Sequence, residues 1–363
     1  MSEQVLVKDE IPEPSMVEPG EVQYLTDWQI EENKKCFDKV NGPLYFLGNY
    51  CYVNCGKIIK FELRPYTTEL IYCIHNFDRF LGMLGRQMGK TTTCCLYALW
   101  LAMFNKDQQV LLTSYNYDQT VLKNMATIKT AYEYCPKWLK EPVLVWNESR
   151  IKFASGSEII AKTTTEDCVR GTSPNLIYAD ELAWTFKGSS TSQLAFYTSV
   201  FPALSASKGK LAITSTPQSS MDLFGTTWEN ANKFDDDDGK PLPCVYVLRD
   251  ENNAITDLTL FTNKEDAEKY NNEHPELNSK VYERHGKGYN DFVSYRAIWA
   301  DVPGRTESWK QSQIKVLGEQ MFLREYECLS GENVVTIRLS DGEIRNETIK
   351  NLYENYNVKI KNN

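Results

Sequence analysis

Phe80-Leu81-Gly82-Met83-Leu84, followed at once by Gly85-Arg86-Gln87-Met88-Gly89-Lys90-Thr91, is the stretch that decides the fold. A short apolar run, a glycine-bearing turn and a helix opening on Lys-Thr give a strand, a loop and a helix in the order that binds nucleotide phosphates. Backbone N–H groups in such a turn converge on an anion, and the helix N-terminus adds the positive end of its dipole. Lys90 is expected to reach the β- and γ-phosphates of ATP, and the Thr91 hydroxyl to ligate Mg²⁺. The fit to G-x-x-x-x-G-K-[ST] is out of frame by one residue. Leu84 stands where the first glycine belongs, and Gly85 is the nearest glycine.

Outward from this loop, residues 62–217 alternate short apolar strands with helical stretches, as an α/β protein with a parallel sheet does. Thr91 to Phe104 reads as a helix, Val110 to Ser114 as the next strand, and Val121 to Tyr134 as a further helix. Trp146 to Ala161 reads as a hairpin with turns at Asn147-Glu148-Ser149 and Ser155-Gly156-Ser157. Leu176-Ile177-Tyr178-Ala179 is another buried-strand candidate, and it runs into Asp180-Glu181. Asp180 at the end of that strand suits Mg²⁺, and Glu181 suits the orientation or deprotonation of an attacking water. An isolated Asp-Glu pair would more simply be a solvated turn. Its place downstream of Lys90, with strand–helix units between, favours nucleotide hydrolysis. Leu211-Ala212-Ile213-Thr214 is a third such strand. The hydroxyls of Thr214, Ser215 and Thr216 fall at its end, where ligands bind in open α/β sheets; Ser-Thr-Pro is also a common strand terminator.

Five regions follow along the chain. Residues 1–22, acidic and proline-bearing, are expected to form a flexible arm. Residues 23–60 form an N-terminal segment packing on the core, 61–230 the phosphate-loop core, and 231–327 a second subdomain, expected to be more polar and helical. Residues 328–363 form a separate tail. Asp235-Asp236-Asp237-Asp238 reads as a solvated loop rather than a cation site. Cys94 and Cys95 sit in an apolar helical pattern, and Cys51 and Cys55 lack the partners of a zinc site, so reduced thiols are expected. No stretch approaches a membrane span and no secretory signal opens the chain. A net charge of −9 argues against this chain alone presenting the basic footprint of a duplex binder.

Gly85 to Thr91, Val169-Arg170-Gly171, Tyr178-Ala179-Asp180-Glu181 and Thr214-Ser215-Thr216-Pro217 together resemble the large terminase subunit of tailed phages. The phosphate loop of that family often reads Arg-Gln-x-Gly-Lys-Thr, with the first glycine misplaced. Val302-Pro303-Gly304-Arg305 with Trp309, and Phe322 to Glu327, resemble the segments after its ATPase core, so the resemblance spans about 60–327. It implies a P-loop NTPase fold, a parallel sheet with flanking helices. Gly85, Arg86, Gln87, Met88, Gly89, Lys90 and Thr91 would hold ATP, and Thr91 and Asp180 would hold Mg²⁺. Glu181 would be the catalytic carboxylate, Arg86 an arginine finger acting in cis, and Thr214, Ser215 and Thr216 the coupling motif. Arg64-Pro65-Tyr66-Thr67 falls where the family contacts adenine. Thr67 replaces the usual glutamine, and Tyr66 is left either to stack on the base or to fill the core. The implied partners are double-stranded DNA, a portal protein, a small terminase subunit and further copies in a homo-oligomeric ring, in the host cytoplasm. A helicase-like ATPase with a native C-terminal linker is the competing reading; it would be expected to carry a second motor domain after residue 217.

The family's nuclease would not fit in residues 328–363. Cys328-Leu329-Ser330-Gly331-Glu332 instead resembles the start of an intein, followed by a strand over 333–339, a turn centred on Asp341-Gly342 and a return strand over 344–348. By this resemblance, the Cys328 thiolate would take the acyl group of Glu327 in an N-to-S shift. No histidine lies in the tail, so a β-rich N-terminal split-intein fragment is implied, completed in trans by a chain carrying the C-terminal intein block and the nuclease. The plainer reading makes Cys328 a native cysteine of a divergent linker.

Overall fold

Residues 15–17 of the expected arm contact the core. The computed structural model describes residues 11–117, 121–185, 190–218, 222–329, 334–338 and 344–348; the first ten residues of the arm lie outside these. Within 11–22 the backbone is hydrogen-bonded to the core at two points. The Ser15 N–H donates to the Glu133 carbonyl at 2.9 Å, and the Val143 N–H donates to the Val17 carbonyl at 3.3 Å. The Lys140 ammonium, itself buried, donates to the carbonyls of Ser15 and Glu133 and to the Ser15 hydroxyl at 2.7–2.8 Å. Three acceptors satisfy a charge that burial would otherwise make costly.

Next come α1 (Asp27–Phe37), α2 (Gly42–Tyr50) and a small hairpin of β1 (Tyr52–Asn54) and β2 (Ile58–Lys60). α1 starts on a capping box, with Thr26 and Gln29 satisfying each other's backbone N–H groups. This segment is seated by the Trp100 indole donating to the Cys36 carbonyl at 2.9 Å, and by Phe46 packed on Phe104 with ring centroids 4.9 Å apart.

The core then runs α3 (Pro65–Asn76), β3 (Arg79–Leu84), α4 (Lys90–Phe104), β4 (Gln109–Ser114) and α5 (Leu122–Tyr134). The antiparallel strands β5 (Val143–Trp146), β6 (Arg150–Phe153) and β7 (Glu158–Thr163) follow, with turns where Asn147–Ser149 and Ser155–Ser157 predict them. β8 (Leu176–Asp180), α6 (Ser190–Ser207), β9 (Lys210–Ser215) and α7 (Leu223–Ala231) complete it. β3, β4, β8 and β9 are almost wholly buried because both faces of the sheet are covered, which is why they read as continuous apolar runs.

The second region departs from expectation. Besides α8 (Lys264–Glu273), it holds β10 (Cys244–Arg249), β11 (Ile255–Phe261) and β12 (Lys280–His285), which form a three-stranded sheet ordered β11-β10-β12. β13 (Val293–Ala297) then joins the main sheet beside β3, in parallel, so the main sheet crosses the boundary expected at 230/231. The full order is β13-β3-β9-β8-β4-β7-β6-β5, a mixed sheet, parallel from β13 to β7. α9 (Glu307–Leu317) and α10 (Glu319–Tyr326) return over the phosphate-loop end of β3. Beyond them β14 (Val334–Arg338) pairs with β15 (Ile344–Thr348); the turn expected at Asp341-Gly342 lies outside the described residues.

Glu69 fastens the three-stranded sheet to the core. Its buried carboxylate on α3 accepts from Arg284 on β12 and Arg249 on β10, each at 2.5 Å. Burial alone would raise this carboxyl, but the two guanidiniums outweigh it and hold it below the usual glutamate range. Glu69→Ala strands two largely buried cations, so a loss of about 3–5 kcal/mol is expected in thermal or denaturant unfolding at neutral pH. Because the folded-state pKa is depressed, this contribution is complete above the ordinary glutamate pKa. It disappears as pH falls through the lower folded value, so mutant and parent should converge in stability in acid.

Candidate active site

Strand register brings three sequence segments to one edge. Asp180 at the end of β8 is level with Thr214 on β9, and Ser215 of β9 is level with Met83 of β3. The carboxyl ends of these strands therefore open together on the turn between β3 and α4, where ligands bind in such sheets.

The turn between β3 and α4 uses left-handed backbone twice. Gln87 and Gly89 both have positive φ, +59° and +74°, and Gly89 is the cap of α4. A side chain at Gly89 would meet nothing within 4 Å, so glycine answers a conformational demand there. Gly85 answers a different one, because a β-carbon would come 2.9 Å from the Tyr326 carbonyl. The displaced first glycine thus makes room for α10, while Leu84 stays in the sheet, fully buried.

Around the loop lies a cavity of about 550 Å³, walled by Arg86 to Thr92, Asp180, Glu181, Trp184 and the α5 face carrying Lys123, Asn124 and Thr127. Lys90 is buried and its ammonium lies 2.6 Å from a Glu181 carboxylate oxygen. Burial pulls this ammonium's pKa down, but the Glu181 and Asp180 charges prevail and hold it above the ordinary lysine value. The Thr91 hydroxyl sits 3.1 Å from both Asp180 oxygens. Asp180 also accepts from the Tyr178 hydroxyl at 2.8 Å and the Thr214 hydroxyl at 3.3 Å. Burial, and then the neighbouring Glu181, raise the Asp180 carboxyl above its usual range; Lys90 and the hydroxyls of Tyr178 and Thr91 offset part of that.

Glu181 takes a left-handed backbone, φ +53°, and donates its N–H to the Thr214 carbonyl at 2.7 Å. That turn swings its carboxylate over the end of β9. There it accepts from the Ser215 hydroxyl at 3.2 Å and the Thr216 N–H at 3.3 Å. The Thr216 hydroxyl accepts from the Trp184 indole at 2.9 Å. Lys90, Glu181, Ser215, Thr216 and Trp184 form one continuous network between the phosphate loop and the end of β9.

Arg86 lines the same cavity, with its Nε–H given to the buried carboxylate of Glu325 on α10. Tyr66 is not brought to the phosphate loop. It is buried in the main core and borders a separate cleft of about 700 Å³ with Glu69, Arg249, Arg284 and Arg296. Sequence reasoning passed over Tyr178, whose hydroxyl joins Asp180 to Thr214, and Trp184; an aromatic in an apolar strand carries no sign that its hydroxyl faces a carboxylate. Cys328 is buried beside Ala297, in the core on the β3–β9 face, and burial pushes its thiol up to about 12. The cysteines are free thiols, and among the described residues no cluster of His, Cys, Asp and Glu forms a metal site and no helix is long and apolar enough to cross a membrane.

Fold and site define an α/β protein with a mixed sheet and a phosphate-loop site closed by two adjacent carboxylates. Residues 81–333 match the family model described as terminase large subunit, T4likevirus-type, N-terminal, and the chain belongs to that family. Among solved structures it is similar to the large terminase ATPase domain of Thermus phage P74-26, at 19% identity over 74% of this chain and 99% of that one, with a TM-score of 0.46. It is also similar to the large terminase of bacteriophage HK97, at 18% identity over 52% of this chain and 40% of that one, TM-score 0.45. The large terminase of a thermophilic bacteriophage, solved in complex with ATP-gamma-S, matches at 10% identity over 74% of this chain and 53% of that one, TM-score 0.43.

Tyr178→Phe removes a hydroxyl from a buried carboxylate. It should cost about 1.5–3 kcal/mol in unfolding free energy, the usual worth of a hydrogen bond to a charged group.

Proposed function

We propose that the chain is the ATP-hydrolysing motor half of a phage terminase large subunit, driving double-stranded DNA into capsids. The observation that carries this reading is the convergence of Lys90, Thr91, Asp180 and Glu181 on one cavity in a chain of this family. Lys90 and the loop N–H groups bind the β- and γ-phosphates. Mg²⁺ suits Thr91 and Asp180, which are hard oxygen donors. The two side chains lie 3.1 Å apart and would hold such an ion between them. When bound, the ion neutralises phosphate charge and orients the γ-phosphoryl group.

Glu181 takes a proton from the attacking water as its oxygen bonds to the γ-phosphorus and the bond to the ADP oxygen breaks. One Glu181 carboxylate oxygen is held by the Lys90 ammonium at 2.6 Å. Phosphate oxygens that draw Lys90 away release the carboxylate for the water, so binding arms the base. The loss of γ-phosphate is then felt through Ser215 and Thr216, which hold the other Glu181 oxygen. The portal protein, the small terminase subunit and a homo-oligomeric ring belong to this reading, as does the host cytoplasm. Nothing after β9 in the described residues forms a second phosphate-loop unit, which disfavours the helicase-like alternative.

The same reading makes residues 328–363 the N-terminal fragment of a split intein, joining this half to a nuclease half. The paired strands β14 and β15 support it. Burial of Cys328 favours the native-linker alternative, because a buried thiol of raised pKa is a poor nucleophile. Acyl transfer from Glu327 would require this segment to leave the core, with partner association supplying the displacement.

Glu181→Gln should lower the rate of phosphate release by about 10²-fold or more while ATP still binds; an unchanged rate would remove Glu181 as the catalytic base. Co-expression with a chain carrying a C-terminal intein block and a nuclease should give a ligated product with Cys328 intact. A ligated product from Cys328→Ala would sink the intein reading.

A further inference from the structure

The phosphate loop is held from the far end of the chain. The Gly85 N–H donates to the Ala297 carbonyl at 3.1 Å, and the Arg86 N–H donates to the Glu325 carbonyl at 2.7 Å. The Arg305 guanidinium, stacked on Trp309, donates to the carbonyls of Arg86 at 3.3 Å and Gln87 at 3.1 Å. Gly85 lies so close to Tyr326 that no side chain fits between them.

Within this brace Arg86 is gripped on one side only. Its Nε–H goes to Glu325, whose side chain is 4% exposed, whereas the Arg86 side chain is 58% exposed. The terminal amino groups of Arg86 have no protein acceptor among the described residues, and the residue borders the phosphate cavity. A buried carboxylate on the Nε edge leaves the two-pronged end of the guanidinium for an anion, the end that matches phosphate oxygens. Arg324, beside Glu325, donates to the other Glu325 oxygen at 3.0 Å and lies over the Trp184 ring, itself bonded to Thr216.

We propose that Glu325 is a positioning residue for ATP hydrolysis: it orients Arg86 toward the γ-phosphate from the last turn of α10. The proposal rests on the ATPase reading. It also makes the chain just beyond Tyr326 a lever on the phosphate loop, since displacing that turn moves the acceptor on which Arg86 is aimed.

The test is steady-state phosphate release by the full chain, with Lys90→Ala as the inactive reference. Glu325→Ala should lower kcat by about tenfold or more, the usual cost of losing an orienting partner, with KM for ATP changed less than about threefold. Glu325→Gln keeps a carbonyl acceptor at the same reach and should retain most of kcat. The double variant Arg86→Ala/Glu325→Ala should be no slower than Arg86→Ala, because both remove one device. A kcat unchanged in Glu325→Ala, or losses that multiply in the double variant, overturns the proposal. If Glu325→Ala does not fold, Glu325→Gln and Glu325→Asp decide. Asp withdraws the acceptor by one methylene and should be the slower, and equal kcat values overturn the proposal. A parent chain no faster than Lys90→Ala refutes the ATPase reading itself, whereas an active parent with indifferent Glu325 variants refutes only the role of Glu325.

Discussion

Two adjacent carboxylates and one ammonium share a site in which Asp180 and Lys90 are buried, and the rest of the structure is arranged around that constraint. Asp180 and Glu181 would repel each other if both faced the same way. The left-handed turn at Glu181 separates them, sending Asp180 to Thr91 and Tyr178 and Glu181 to Lys90 and the end of β9. One lysine cannot balance two carboxylates and an incoming triphosphate. On the proposed reading a divalent cation would supply the missing charge, while Lys90 and Glu181 satisfy each other across the site. A conformation that costs energy at a non-glycine residue is kept because the Glu181 N–H and carboxylate are both satisfied by β9.

That constraint explains which parts of the fold were legible in the sequence. Strands covered on both faces must be apolar throughout, so β3, β4, β8 and β9 announced themselves, and the polar residues ending them marked the site. The region after α7 misled for the opposite reason. β12, Lys-Val-Tyr-Glu-Arg-His, is mostly exposed and looks like loop or helix, and only pairing with β10 makes it a strand. β13 enters the main sheet beside a strand some two hundred residues earlier, and nothing local encodes such a partner. Glu69, Arg249 and Arg284 are scattered through the chain, and nothing local to any of them marks the ion triad that the fold brings together.

The arm shows the same limit in miniature. Its acidic, proline-bearing composition fits a mobile tail, yet Ser15 and Val17 are held by backbone groups at the edge of the core and by Lys140. Composition reports what a segment can bury by itself. It is silent on donors that another segment leaves waiting, and a buried lysine with room for a carbonyl is such a case.

The misplaced glycine of the phosphate loop ties the site to the end of the chain. In the sequence Gly85 is a defect in a motif, one residue out of frame. In the structure it lets the Tyr326 carbonyl approach the loop, with Glu325 on Arg86 and Arg305 on the carbonyls of Arg86 and Gln87. The loop gives up a glycine at its sheet end and gains a bracket from α10. That bracket ends two residues before Cys328, and Glu327 between them is itself engaged, its carboxylate by Lys310 and Trp299 and its carbonyl by Arg296. The contacts that hold Glu327 and Cys328 therefore continue, residue by residue, those by which Glu325 and Tyr326 meet the phosphate loop.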